Sequence, residues 1–232
     1  MASSDQNRRE FLVTNLAAGF ALAVSPAGAQ TITTDTNGLT AGPVQIPVPD
    51  GQIPAYRAMP ARGANFPIVL VVQEIFGVHE HIKDVARRLA KAGYFAIVTE
   101  PYVRIGDLTR LTDIKEVIAS ANKLKDEQCF ADLDATVKWA SAQSKADTSK
   151  LGITGFCRGG RTTWMYTAHN PKIRAGVSWY GGLKAVPPAQ PNTPVDVAAR
   201  LHAPVLGLYG GADQGIPQAD VDRLLAALAA AG

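Results

Sequence analysis

The chain has 232 residues, 47% of them hydrophobic and 19% charged, enough apolar material for one domain with a sizeable core. Its net charge of +3 is small and gathers in no Lys/Arg run, which argues against nucleic acid or an acidic membrane surface as partner. There is no internal repeat and no Cys/His cluster with the spacing of a metal site.

The first 29 residues read as an export signal. Asn7-Arg8-Arg9-Glu10-Phe11-Leu12 places paired arginines before an apolar run, Phe11 to Val24, that is too short to span a membrane. Pro26-Ala27-Gly28-Ala29 supplies small residues for cleavage after Ala29. The paired arginines and mild hydrophobicity favour a twin-arginine signal, hence a periplasmic or secreted product with no membrane span after signal removal. Residues 30–43 are Thr/Gly-rich and read as a linker.

The domain is expected over residues 44–232. Val44 to Val48 and Pro54 to Met59 read as edge strands around the turn Pro49-Asp50-Gly51-Gln52. Ile68 to Val72 is a continuous apolar run, as in a strand buried on both faces. Ile82, Val85, Ala86, Leu89 and Ala90 recur at helical spacing, and Gly93 ends that helix. Tyr94 to Thr99 is the next buried strand. Leu111 to Lys125 and Phe130 to Gln143 read as helices. The Leu151 strand follows, then a helix from Arg161 to His169 and strands at Ala175 to Tyr180 and Pro204 to Tyr209. The Pro-rich stretch Pro187 to Pro194 is expected as a surface loop, and Pro217 to Ala231 as a closing helix. Alternating strands and helices predict a mostly parallel sheet with helices on both faces.

Gly155-Phe156-Cys157-Arg158-Gly159-Gly160 lies between the Leu151 strand and its helix. A strand, a sharp glycine-flanked turn with a nucleophile at the tip, and a helix make the nucleophile elbow of an α/β-hydrolase fold. Cys157 is the candidate nucleophile, to be activated by a base or by the helix N-terminus. The alternatives are a buried structural thiol or a disulfide with Cys129, which falls in the connection between two predicted helices. Asp213 follows the Val205 to Tyr209 strand through Gly210-Gly211-Ala212, at the carboxyl edge where such sites sit, and is the candidate triad acid. The alternative is an ordinary turn aspartate. Glu74 closes an apolar strand and reaches the same edge; a surface pairing with an arginine is its plainer reading. The backbone N–H groups of Ile75 and Arg158 are the expected oxyanion donors.

Glu74-Ile75-Phe76-Gly77, the Cys157 elbow and Gly210-Gly211-Ala212-Asp213, in this order, resemble the dienelactone hydrolase family of carboxymethylenebutenolidases over roughly residues 44 to 232. The resemblance implies a Cys–His–Asp triad and a glutamate at position 74 that switches the thiol between resting and activated states. It further implies cofactor-free hydrolysis of an enol lactone to an open-chain keto acid through an acyl-enzyme. Phe76, Arg104 and Tyr180 are the further candidates at the substrate pocket, and the partner is a small ester or lactone.

Two departures stand out. The family's histidine lies roughly thirty residues beyond the aspartate, and nineteen residues follow Asp213 here. His169 is twelve residues into the elbow helix, ~18 Å from the tip at 1.5 Å per residue. His202 sits at the opposite end of the sheet, and His79 and His81 read as the start of a helix. The expectation is therefore a C-terminally truncated chain lacking the last strand and helix. The family's carboxylate-binding arginine also has no clear match: Asp113 to Ala121 holds Lys115 but no Arg. A general carboxylesterase or thioesterase, or a non-catalytic periplasmic binding protein, are the other readings.

Overall fold

The computed structural model describes residues 33–232. The export signal expected over residues 1–29 lies outside them. Seven strands form one sheet: β1 (Leu39–Val48), β2 (Gly51–Pro60), β3 (Phe66–Val72), β4 (Phe95–Thr99), β5 (Ala146–Phe156), β6 (Ile173–Trp179) and β7 (Val205–Leu208), in the order β1-β2-β4-β3-β5-β6-β7. β1, β2 and β4 pair antiparallel, and β4 through β7 are parallel. The helices are α1 (Glu80–Lys91), α2 (Ile114–Ala121), α3 (Asp126–Ser141), α4 (Arg158–His169), the single turn α5 (Pro194–Val197) and α6 (Gln218–Ala231).

The sheet divides its side chains by strand periodicity. On β3, Ile68, Leu70 and Val72 face one cluster with Phe95 and Ile97 of β4 and Leu133 and Val137 of α3. Val71, Ala96 and Val98 face the other way, against Ile82, Ala86 and Ala90 of α1. Both faces of the inner strands are thus covered, which is why their sequences are continuously apolar. A third cluster joins Trp164 of α4, Leu183 and Leu224 of α6. No helix among the described residues is long and apolar enough to cross a membrane.

Several expectations need correction. β1 begins at Leu39, so the ladder to β2 takes in Leu39 to Pro43 of the stretch predicted as linker. β2 is not an edge strand, because β4 pairs on its other side. α2 is shorter than expected and starts at Ile114, where the Asp113 carboxylate accepts the Lys115 N–H at 2.9 Å. The Pro-rich stretch is only partly at the surface: Ala189 and Gln190 are buried, and the Ala189 carbonyl accepts the Asp126 N–H at the start of α3.

Candidate active site

The elbow forms where β5 gives way to α4. Cys157 has φ 54° and ψ −114°, a left-handed backbone that costs a non-glycine residue energy and persists only when its surroundings hold it. Its N–H donates to the Trp179 carbonyl at 3.0 Å, and its carbonyl accepts the Arg161 N–H at 3.1 Å. Gly159 lets α4 approach β3: a Cβ there would stand 2.2 Å from the Val72 carbonyl oxygen. Residue types and spacing therefore produce the turn read from the sequence.

The thiol is half-buried, and its pKa is pushed up to about 11. Burial is the main cause, and the charges of Glu74 and Asp213 add to it. The Arg158 backbone N–H and the Arg158 charge act the other way and do not prevail. The expected activation by the helix N-terminus is thus present but outweighed, and Cys157 rests as a neutral thiol. The charges of Glu74 and Asp213 are both felt at the Cys157 thiol.

Glu74 is buried, and its partner is not an arginine. Its Oε2 accepts from His79 Nε2 at 3.0 Å. His79 is the N-cap residue of α1, and its ring meets Phe76 edge-on at 6.4 Å. Asp213 sits in a turn, its carboxylate accepting the Gly215 N–H at 2.8 Å. Ile75 is half-buried against the core, and Arg158 heads α4. The Arg158 guanidinium donates to the Leu124 carbonyl at 2.7 Å and faces the Gln190 side-chain amide. Tyr180 is half-buried with φ 40°, and its hydroxyl is held protonated by burial and by the nearby Glu74 and Cys157.

Arg104 does not reach toward a substrate. Its Nε and Nη2 donate to the buried Asp132 carboxylate at 2.9 and 2.7 Å, and Nη1 and Nη2 donate to Asp50 in the β1–β2 turn. The guanidinium is a tie between hairpin and α3. Cys129 also differs from expectation. It lies in the first turns of α3, buried beside Tyr102 and Arg158, and both cysteines are free thiols. Burial pushes the Cys129 thiol up to about 12.

Among the described residues, no hydrogen bond joins Cys157 or Asp213 to any of the four histidines. His169 bonds Asp134 at 2.9 Å near the far end of α4, and His81 stacks on His79 at 6.1 Å.

The two-layered cover of a parallel sheet and the nucleophile elbow define an α/β-hydrolase. The profile of the Dienelactone hydrolase family matches residues 53–232. A Methylorubrum extorquens protein that carries a carboxymethylenebutenolidase name is 61% identical, over 100% of this chain and 80% of its own length. An Escherichia coli K12 protein of the same name is 46% identical, over 95% of this chain and 82% of its own. A Klebsiella pneumoniae crystal structure that carries a dienelactone hydrolase name superposes with a TM-score of 0.81 at 48% identity, covering 83% of this chain and 81% of that one. The chain belongs to the dienelactone hydrolase family and is a hydrolase acting on ester bonds.

Proposed function

We propose that Cys157 is the nucleophile of a small-ester and lactone hydrolase that works through an acyl-enzyme. The observation that carries this reading is the strained Cys157 backbone, φ 54°, at the carboxyl edge of the sheet, within the electrostatic reach of Glu74 and Asp213. The sulfur attacks the acyl carbon as a general base takes its proton, the acyl C–O bond breaks, and the base returns that proton to the leaving oxygen, which departs as the alcohol of an ester or stays tethered as the enol of an opened lactone. Water then cleaves the thioester to the acid and restores the thiol. The N–H groups of Ile75 and Arg158 receive the charge on the carbonyl oxygen. Asp213 is assigned to orient the general base, and Glu74 to tune the thiol. The general base is assigned to none of His79, His81, His169 and His202. The Arg8-Arg9 signal supports a periplasmic or secreted location.

A general carboxylesterase is the second reading. The engagement of Arg104 with Asp132 and Asp50 favours it, because that guanidinium is not left for a substrate carboxylate. Initial rates on neutral acyl esters and on small anionic lactones separate the two. For either, Cys157→Ala is expected to lower kcat/KM by about a thousandfold or more. Retained hydrolysis would refute the nucleophile.

A further inference from the structure

The Glu74 side chain is 2% exposed. A charge so placed is tolerated only where another group pairs it. The group in hydrogen-bond contact is His79, whose Nε2 lies 3.0 Å from Oε2.

Helix stability does not account for a histidine here. The N-cap position favours Ser, Thr, Asp or Asn, whose side chains bond the first turn. The His79 imidazole makes no such bond. Its backbone is set by neighbours instead. Gly77 has φ 77°, and a Cβ on it would lie 2.5 Å from Glu100 Oε2, whose carboxylate accepts the Val78 N–H at 2.5 Å. The ring plane is set by Phe76 at its edge and by His81, stacked at 18° between planes. A buried acid, a nearby loop acid and two rings therefore hold one imidazole nitrogen against Glu74.

We propose that His79 is a positioning residue: its ring nitrogen, bonded to Oε2, holds the buried Glu74 side chain in place at the carboxyl edge of the sheet, so that Glu74 sets the reactivity of the Cys157 thiol. The inference rests on the reading of Cys157 as the reacting thiol. The titratable and charged groups around the pair are Glu100 after β4, Cys157 and Arg158 at the elbow, Tyr180 after β6, Asp213 after β7 and His81 on α1. Without the His79 ring, the buried Glu74 carboxylate loses the partner that fixes its position. Its field on the sulfur then weakens, and the thiol ionises more easily.

The test is the rate of Cys157 carbamidomethylation by iodoacetamide at pH 8.5, followed on the Cys157 peptide by mass spectrometry, with folding checked by circular dichroism. His79→Phe is expected to raise the rate by about 3- to 10-fold, since each unit of thiol pKa is tenfold in thiolate. Glu74→Gln is expected to raise it by a similar factor, and the double variant no further. His79→Gln restores an N–H donor and returns the rate toward wild type. His79→Leu, with less bulk, repeats the test if the phenyl ring disturbs the loop. An unchanged rate in His79→Phe and His79→Leu, additive effects in the double variant, or a Cys157 unlabelled in every variant would each overturn the proposal. Alkylation needs no turnover, so absence of ester hydrolysis would sink the proposed function while leaving this result to stand on its own.

Discussion

Arg161 and Asp126 meet as a two-point ion pair, Nη1 to Oδ1 at 2.7 Å and Nη2 to Oδ2 at 2.8 Å, with both side chains almost wholly buried. Nη2 also donates to the Asn192 carbonyl at 2.6 Å. One guanidinium therefore joins the elbow helix α4, the start of α3 and the Pro-rich loop. Removing one partner strands the other charge in the interior, at a cost of about 3–5 kcal/mol. Arg161→Met or Asp126→Leu alone should lower the unfolding free energy from urea titration by that amount. The double variant should recover most of the loss, because no buried charge is left over.

Gly159 stands where no side chain fits. Its nearest neighbours are the Val72 and Gln73 carbonyls of β3, backbone that cannot rotate away. Gly159→Ala should cost about 1–3 kcal/mol through overpacking. It should also reduce kcat in the folded fraction, since α4 carries the Arg158 N–H. Thermal denaturation and steady-state kinetics on the same preparation check both effects.

Arg104 ties Asp50 to the buried Asp132, so its loss should be felt in stability and not in substrate affinity. We expect Arg104→Met to destabilise the fold by about 3–5 kcal/mol, with Asp132 left partly served by Gln128. KM per active molecule should be unchanged. A rise in KM for anionic lactones with stability intact would return Arg104 to the substrate pocket.

Both thiols are held neutral beyond their ordinary value of 9.0, Cys157 to about 11 and Cys129 to about 12, chiefly by burial. The folded chain thus keeps these protons more tightly than the unfolded chain does. The resulting stabilisation is complete below about pH 9 and is lost as pH rises through 11 and 12. Under reducing conditions, urea unfolding should show a fall in stability between pH 8 and about pH 10.5. Cys129→Ser, which does not titrate there, should flatten part of that fall.

The elbow was legible because its requirements are local. Glycines at 155, 159 and 160 around Cys157, set between a strand and a helix, admit few other structures. β3 and β4 were legible for the same reason, being apolar on both faces. α3 was read too short because its N-cap is Lys125, which makes no side-chain cap bond, so nothing marks the helix start before Phe130. That error misplaced Cys129. The Thr/Gly-rich stretch before Val44 hid the start of β1, since Gly42 sits inside the strand with φ 156°. Pairings across the fold, Arg104 with Asp132 and Arg161 with Asp126, depend on where whole elements dock, and no local pattern announces them. The His79 pairing had one available signal, a histidine five residues after a buried acid at a poor N-cap.

The central claim is that the bond-forming atom is the Cys157 sulfur. Rapid acid quench during turnover of p-nitrophenyl acetate, followed by peptide mass spectrometry, tests it directly. The account predicts one acetyl group on the peptide carrying Cys157, and none in Cys157→Ala. Acetyl transfer to another residue, with hydrolysis undiminished in Cys157→Ala, would contradict it.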